Sequence, residues 1–186
     1  MVIFEMQGLH DALKKRRLGP KKPRSSIRSG TLALVFFFVT PLSFEVMADR
    51  YRYPVGDISQ AELLDRHEVF KRNYDAYEVT AGIDGLPRDL KVTILFGTWC
   101  HDSEREVPRM LKLLAASGMR EENISLIALD IRKEEPEGRT KALDVRFTPT
   151  FIFSRAGMEL GRIVERPESS LRGDVAALIK LSLIHI

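Results

Sequence analysis

Phe96-Gly97-Thr98-Trp99-Cys100-His101-Asp102-Ser103 is the stretch that decides the fold. An apolar run, Val92 to Phe96, leads into it, and a helical pattern from about Cys100 to Ala116 follows. The chain's one cysteine therefore falls at a strand-to-helix turn. A helix N-terminus offers free amides and the positive end of the dipole. Both stabilise a thiolate, the attacking species in disulfide exchange. His101 adds to this when protonated. Asp102 opposes it by like-charge repulsion unless it pairs with His101 or Arg105. Taken alone, a cysteine after a strand also fits a small buried hydrophobe. A single cysteine excludes an intramolecular disulfide, a zinc knuckle and a dithiol couple.

The flanking segments supply the architecture. Ile124 to Leu129 reads as a second buried strand, Gly138 to Val145 as a short helix and Thr150 to Phe153 as a third strand. Ala156-Gly157 turns the chain into a fourth strand, Glu159 to Val164, and a last helix begins near Glu168 and runs past Leu178. The order β-α-β-α-β-β-α combines a parallel crossover with a terminal hairpin. It predicts an α/β sandwich with a mixed central sheet and helices on both faces. Upstream, Ser59-Gln60-Ala61-Glu62 forms a capping box. It opens a helix to about Arg72 with Leu63, Leu64, His67 and Phe70 on one face. Tyr74 to Val79 reads either as an edge strand or as a continuation of that helix. His67 is expected as a core or rim histidine, not a ligand.

Two further features join the cysteine turn: Pro108, eight residues after Cys100, and Phe147-Thr148-Pro149-Thr150-Phe151. Together, over about Lys91 to Lys180, they resemble the thioredoxin-like superfamily, here with a Trp-Cys-x-Asp-Ser motif. The resemblance implies a thioredoxin-like three-layer sandwich. It implies catalytic roles around Cys100, with His101, Asp102 and Ser103 beside it, and a substrate-binding surface at Trp99, Thr148 and Pro149. Thr148-Pro149 matches the family's cis-proline signature, which presents backbone groups to an extended client. Two departures go together. Ser103 stands where a dithiol member has its second cysteine, and Ile94 stands where classical thioredoxins keep a buried acid. A hydroxyl cannot resolve a mixed disulfide, but it can hydrogen-bond to the Cys100 thiolate.

Charge and hydropathy divide the chain. Of 29 Lys/Arg and 26 Asp/Glu, eight and three lie in residues 1–48, which leaves 21 against 23 from Asp49 onward. The body shows no electrostatic footprint for nucleic acid. Residues 1–48 read as a signal peptide or N-terminal anchor: basic residues from Lys14 to Arg28, the apolar run Thr31 to Phe44, then Val46-Met47-Ala48. That predicts a periplasmic or secreted protein, or one anchored to face the periplasm, with membrane contact only through an uncleaved leader. Residues 49–90 read as an extension with one helix and 91–180 as the domain. The last six, 181–186 (LSLIHI), read as a sequence artefact.

No phosphate loop, metal-spaced histidine pair or Ser-His-Asp order stands out, so no cofactor or metal is expected. Glu104 and Glu106 read as first-turn helix acids. The expected activity is monothiol thiol-disulfide exchange, of the isomerase or thiol-linked reductase type, without a resolving cysteine. The expected partners are disulfide- or thiol-containing polypeptides and a low-molecular-weight thiol. The alternative is a non-catalytic polypeptide-binding module. An oxidant sensor ranks last, because Gly97 occupies the position where a peroxidatic Thr-x-x-Cys pattern needs threonine.

Overall fold

The computed structural model describes residues 53–184, with side chains to Leu181. The leader read over residues 1–48 lies outside the described residues, as do His185 and Ile186. The elements are β1 (Gly56–Asp57), α1 (Gln60–Arg66), α2 (Glu68–Ala76), β2 (Leu90–Phe96) and α3 (His101–Ala116). A 3₁₀ turn (Glu121–Asn123) leads to β3 (Ile124–Ala128), α4 (Arg139–Ala142), β4 (Thr150–Arg155), β5 (Met158–Val164) and α5 (Leu171–Ile184).

The five strands form one sheet in the order β1-β3-β2-β4-β5. β2 and β3 are parallel, with Val92 opposite Ile124 and Phe96 opposite Ala128. Every other pairing is antiparallel. A parallel pair needs a crossover, and α3 supplies it. This is the mixed-sheet α/β sandwich expected, a thioredoxin-like architecture.

Period-two alternation sorts the strands between the two faces. Val92, Ile94 and Phe96 of β2 join Leu126, Ala128, Phe151 and Phe153 in the larger core. α1, α2, α3 and α5 close that core through Leu63, Phe70, Val107, Met110, Leu114, Val175 and Ile179. Leu95, Ile127 and Ile152 point the other way and meet Leu129 and Val145, with Leu143 packed alongside. The two faces are unequal: four helices cover one, and the short α4 with its following turn serves the other.

Two local expectations changed. The upstream helix breaks at His67, whose backbone is extended (φ −121, ψ 92), and resumes as α2 to Ala76. The break lets Phe70 reach Phe96 at 5.8 Å between ring centroids, with the His67 ring edge-on to Phe70 at 6.0 Å. Tyr74 to Ala76 continue the helix and form no strand. The capping box is half made. Ser59 Oγ accepts the Glu62 N–H at 3.1 Å, but the Glu62 carboxylate pairs with Arg66 at 2.9 Å instead of reaching back.

Pro108 sits inside α3. A helical proline has no N–H for the carbonyl four residues earlier, so the Glu104 carbonyl loses its helical partner. Asn73 of α2 supplies one, donating from Nδ2 to Glu104 O at 2.7 Å. Lys112 ties the same two helices, donating to the Tyr74 and Asp75 carbonyls at 2.8 and 3.1 Å. These are the orphan carbonyls at the end of α2, where a cation also meets the negative end of the dipole. Among the described residues no helix is long and apolar enough to cross a membrane.

Candidate functional site

The site is built where β2 leaves the sheet. The Cys100 N–H donates to Gly97 O at 3.0 Å, closing a tight turn. A Cβ at Gly97 would lie 2.5 Å from the Trp99 ring, so glycine is what lets the indole fold back over the turn. The indole is fixed there by Trp99 Nε1 donating to Leu129 O at 3.0 Å. Cys100 then caps α3 from an extended backbone (φ −93, ψ 121). Its carbonyl takes the first intrahelical bond, from the Glu104 N–H at 2.9 Å. The amides of residues 101–103 precede that bond and surround the cap.

The thiol faces the loop before β4. Cys100 Sγ donates to Thr148 O at 3.2 Å, and the Thr148–Pro149 peptide bond is cis. Thr148 is buried, and its amide has no hydrogen-bond partner among the described residues. The loop is pinned from both sides. Thr150 Oγ1 donates to Phe147 O at 2.7 Å, and the Glu165 N–H donates to Pro149 O at 2.7 Å. Cys100 is half-buried, and Phe147 is 52% exposed for so large an apolar side chain. The structure thus brings Cys100, Thr148 and Pro149 together at one turn. Trp99 lies immediately before the thiol.

Three neighbours take partners other than the thiol. Ser103 is fully buried, and its Oγ accepts the Gly97 N–H at 3.3 Å. No hydrogen bond joins Ser103 to Cys100 among the described residues. The hydroxyl holds the strand exit to the helix. The His101 side chain is 90% exposed and turns to Glu104, with Nδ1 at 3.3 Å from Oε2. The Asp102 side chain is only 19% exposed and carries two guanidinium groups. One was foreseen: Arg105 Nη2 lies 3.0 Å from Oδ1. The other, Arg166, was not. Its Nε donates to Oδ1 at 3.0 Å and its Nη2 to Oδ2 at 3.4 Å.

Ile94 is buried between Leu126 and Phe151 in the sheet, so β2 carries no acid at this point. A buried acid does exist on α3. Glu106, expected in the first turn, lies beyond it and is 3% exposed. Oε1 takes Arg105 Nε at 2.5 Å, while Oε2 is buried without a hydrogen-bond partner. Glu106 lies three residues past Ser103, on the flank of the helix stripe that includes Val107 and Met110. That spacing was the available signal. The Glu106 hydrogen bond, with Asp102 adding to it, holds the Arg105 guanidinium above its ordinary value and so firmly charged. No group of three metal-ligating side chains occurs among the described residues.

No family model matches the chain, and no curated protein matches it. Solved structures do. A protein from a malaria parasite is 28% identical over 50% of this chain and 97% of its own, with a TM-score of 0.38. Thioredoxin-2 of the malaria parasite, described as a component of its protein secretion machinery, is 26% identical over 56% of this chain and 96% of its own, with a TM-score of 0.36. Mitochondrial thioredoxin 3 of Saccharomyces cerevisiae is 20% identical over 61% and 88%, with a TM-score of 0.35. The fold assignment rests on the chain's own strand order and crossover.

Proposed function

We propose that this chain carries out thiol-disulfide exchange through Cys100 alone, forming mixed disulfides with polypeptide clients. The observation that carries this is the placement of the Cys100 sulfur at the N-terminus of α3, 3.2 Å from Thr148 O at the Thr148–Pro149 turn.

In the reaction, the Cys100 proton leaves to solvent and the thiolate attacks one sulfur of a client disulfide. A bond forms between Cys100 and that sulfur as the client's S–S bond breaks. The departing client thiolate leaves with the electron pair and takes up a proton. Ser103 forms no S–S bond, so release needs a second thiol. If a client cysteine attacks the client sulfur of the mixed disulfide, Cys100 is expelled and the client's pairing is rearranged with no net change in electrons. If two equivalents of a small external thiol act in turn, they are oxidised to their disulfide and the client is reduced. The unpartnered Thr148 amide is placed to pair with an extended client backbone. The leader motif adds a periplasmic or secreted location to the proposal, where disulfide-bearing clients occur.

The test is trapping. Wild-type protein and Cys100→Ser are incubated with a disulfide-linked peptide pair, quenched with acid and weighed by mass spectrometry. One peptide per wild-type chain and none on Cys100→Ser is expected. An unmodified wild type would refute the activity. The exposed Phe147 beside the turn favours a second reading, a non-covalent polypeptide-binding module. Under that reading Cys100→Ala would bind the same peptides undiminished, and Phe147→Ser would not.

A further inference from the structure

Asp102 poses a problem that the site must solve. It is the second residue of α3, next but one to the thiol, and its charge works against a thiolate at the same helix end. Arg105 answers only in part, because it is shared: its Nη2 reaches Asp102 at 3.0 Å while its Nε holds the buried Glu106 at 2.5 Å. Arg166 comes from the other side of the site, in the loop after β5. Its approach is built into the backbone. Glu165 is left-handed (φ 59), a conformation that side chains with a Cβ rarely adopt. That conformation is held by the Glu165 N–H on Pro149 O and the Arg166 N–H on Val164 O, each 2.7 Å. The same turn that anchors the Thr148–Pro149 loop therefore delivers the guanidinium to Asp102.

We infer that Arg166 is a positioning residue of the thiol site, which neutralises Asp102 and keeps its charge off Cys100. This rests on the exchange reading of Cys100 but makes a separate claim. Arg166 forms no contact with the sulfur and acts through Asp102.

The experiment reads the thiol directly, as the rate of Cys100 alkylation by iodoacetamide at pH 7, where the thiolate displaces iodide from carbon. Arg166→Gln is expected to slow alkylation about threefold, the scale of one unit charge acting through mostly aqueous surroundings. Arg166→Lys keeps the charge and should restore most of the rate. Asp102→Asn leaves the Arg166 charge unopposed and should run faster than wild type, and Asp102→Asn with Arg166→Gln should return to about the wild-type rate. In 1 M salt the gap between wild type and Arg166→Gln should close. A bridge needed only to hold the loop in place predicts the opposite for Asp102: its loss would slow alkylation as much as loss of Arg166. That result, or an Arg166→Gln rate equal to wild type, overturns the inference. A wild type that alkylates in the expected pattern yet traps no peptide would instead defeat the exchange reading and leave this network standing.

Discussion

Asn73→Ala should cost far more than an ordinary surface substitution, and the reason lies on another helix. Asn73 Nδ2 donates to Glu104 O at 2.7 Å, the carbonyl that Pro108 deprives of its helical partner. Removing the donor leaves a part-buried carbonyl unsatisfied, which costs about 1–3 kcal/mol, against under about 0.5 kcal/mol for a typical surface change. Equilibrium urea unfolding measures it. With a slope of about 1–3 kcal/mol per molar for a domain of this size, a loss near 1.5 kcal/mol lowers the midpoint by roughly 0.5–1.5 M at unchanged slope. The decisive comparison is a double-mutant cycle with Pro108→Ala. Alanine restores an N–H at position 108, so Glu104 O regains its own partner and Asn73 becomes redundant. In that background Asn73→Ala should cost less by about 1 kcal/mol or more. Equal costs in the two backgrounds would refute the account of Asn73 as a substitute donor.

Two other outcomes are expected. Gly97→Ala places a Cβ 2.5 Å from the indole, so Trp99 must leave Leu129 O; overpacking of this kind costs roughly 1–3 kcal/mol in urea unfolding, and an unchanged midpoint would contradict the close approach. Burial, with the Arg66 charge assisting, holds His67 below its ordinary 6.5. The unfolded chain therefore binds the proton more readily, so this residue's contribution to stability is present above that value and lost as pH falls below it. His67→Gln should flatten the decline in thermal stability between about pH 7.5 and 5.5, at the ordinary histidine range; an unaltered slope would count against it.

What could be read from the chain alone was whatever depends on spacing. The apolar run Val92 to Phe96 placed β2, and Ile124 to Leu129 placed β3, because a strand buried on both faces writes itself as a short apolar run. The turn at Cys100 was equally legible, since its strand and helix flank it directly. The break at His67 was not. Leu63 and Phe70 fit one continuous helical face, and only the packing of Phe70 on Phe96 makes two helices preferable. Side-chain partners were the least legible. Ser103 had a thiol three residues away in sequence, yet its hydroxyl turned to the Gly97 amide. His101 had the same prospect and turned to Glu104. Arg166 was invisible because it reaches Asp102 across 64 residues of chain. Asn73 answers a vacancy that Pro108 announces without saying who fills it.

The indole of Trp99 has a practical consequence. It is the sole tryptophan of the chain, and it stands immediately before the sole cysteine. Its N–H is tied to the carbonyl of Leu129, just past the end of β3, and its ring covers the turn that ends β2. Tryptophan emission from this protein therefore arises from one spot, at the junction of the two parallel strands and the thiol. The molecule carries its own gauge. A partner settling on Cys100, or a slip between the ends of β2 and β3, changes the surroundings of a single chromophore, and both can be followed in the unlabelled protein.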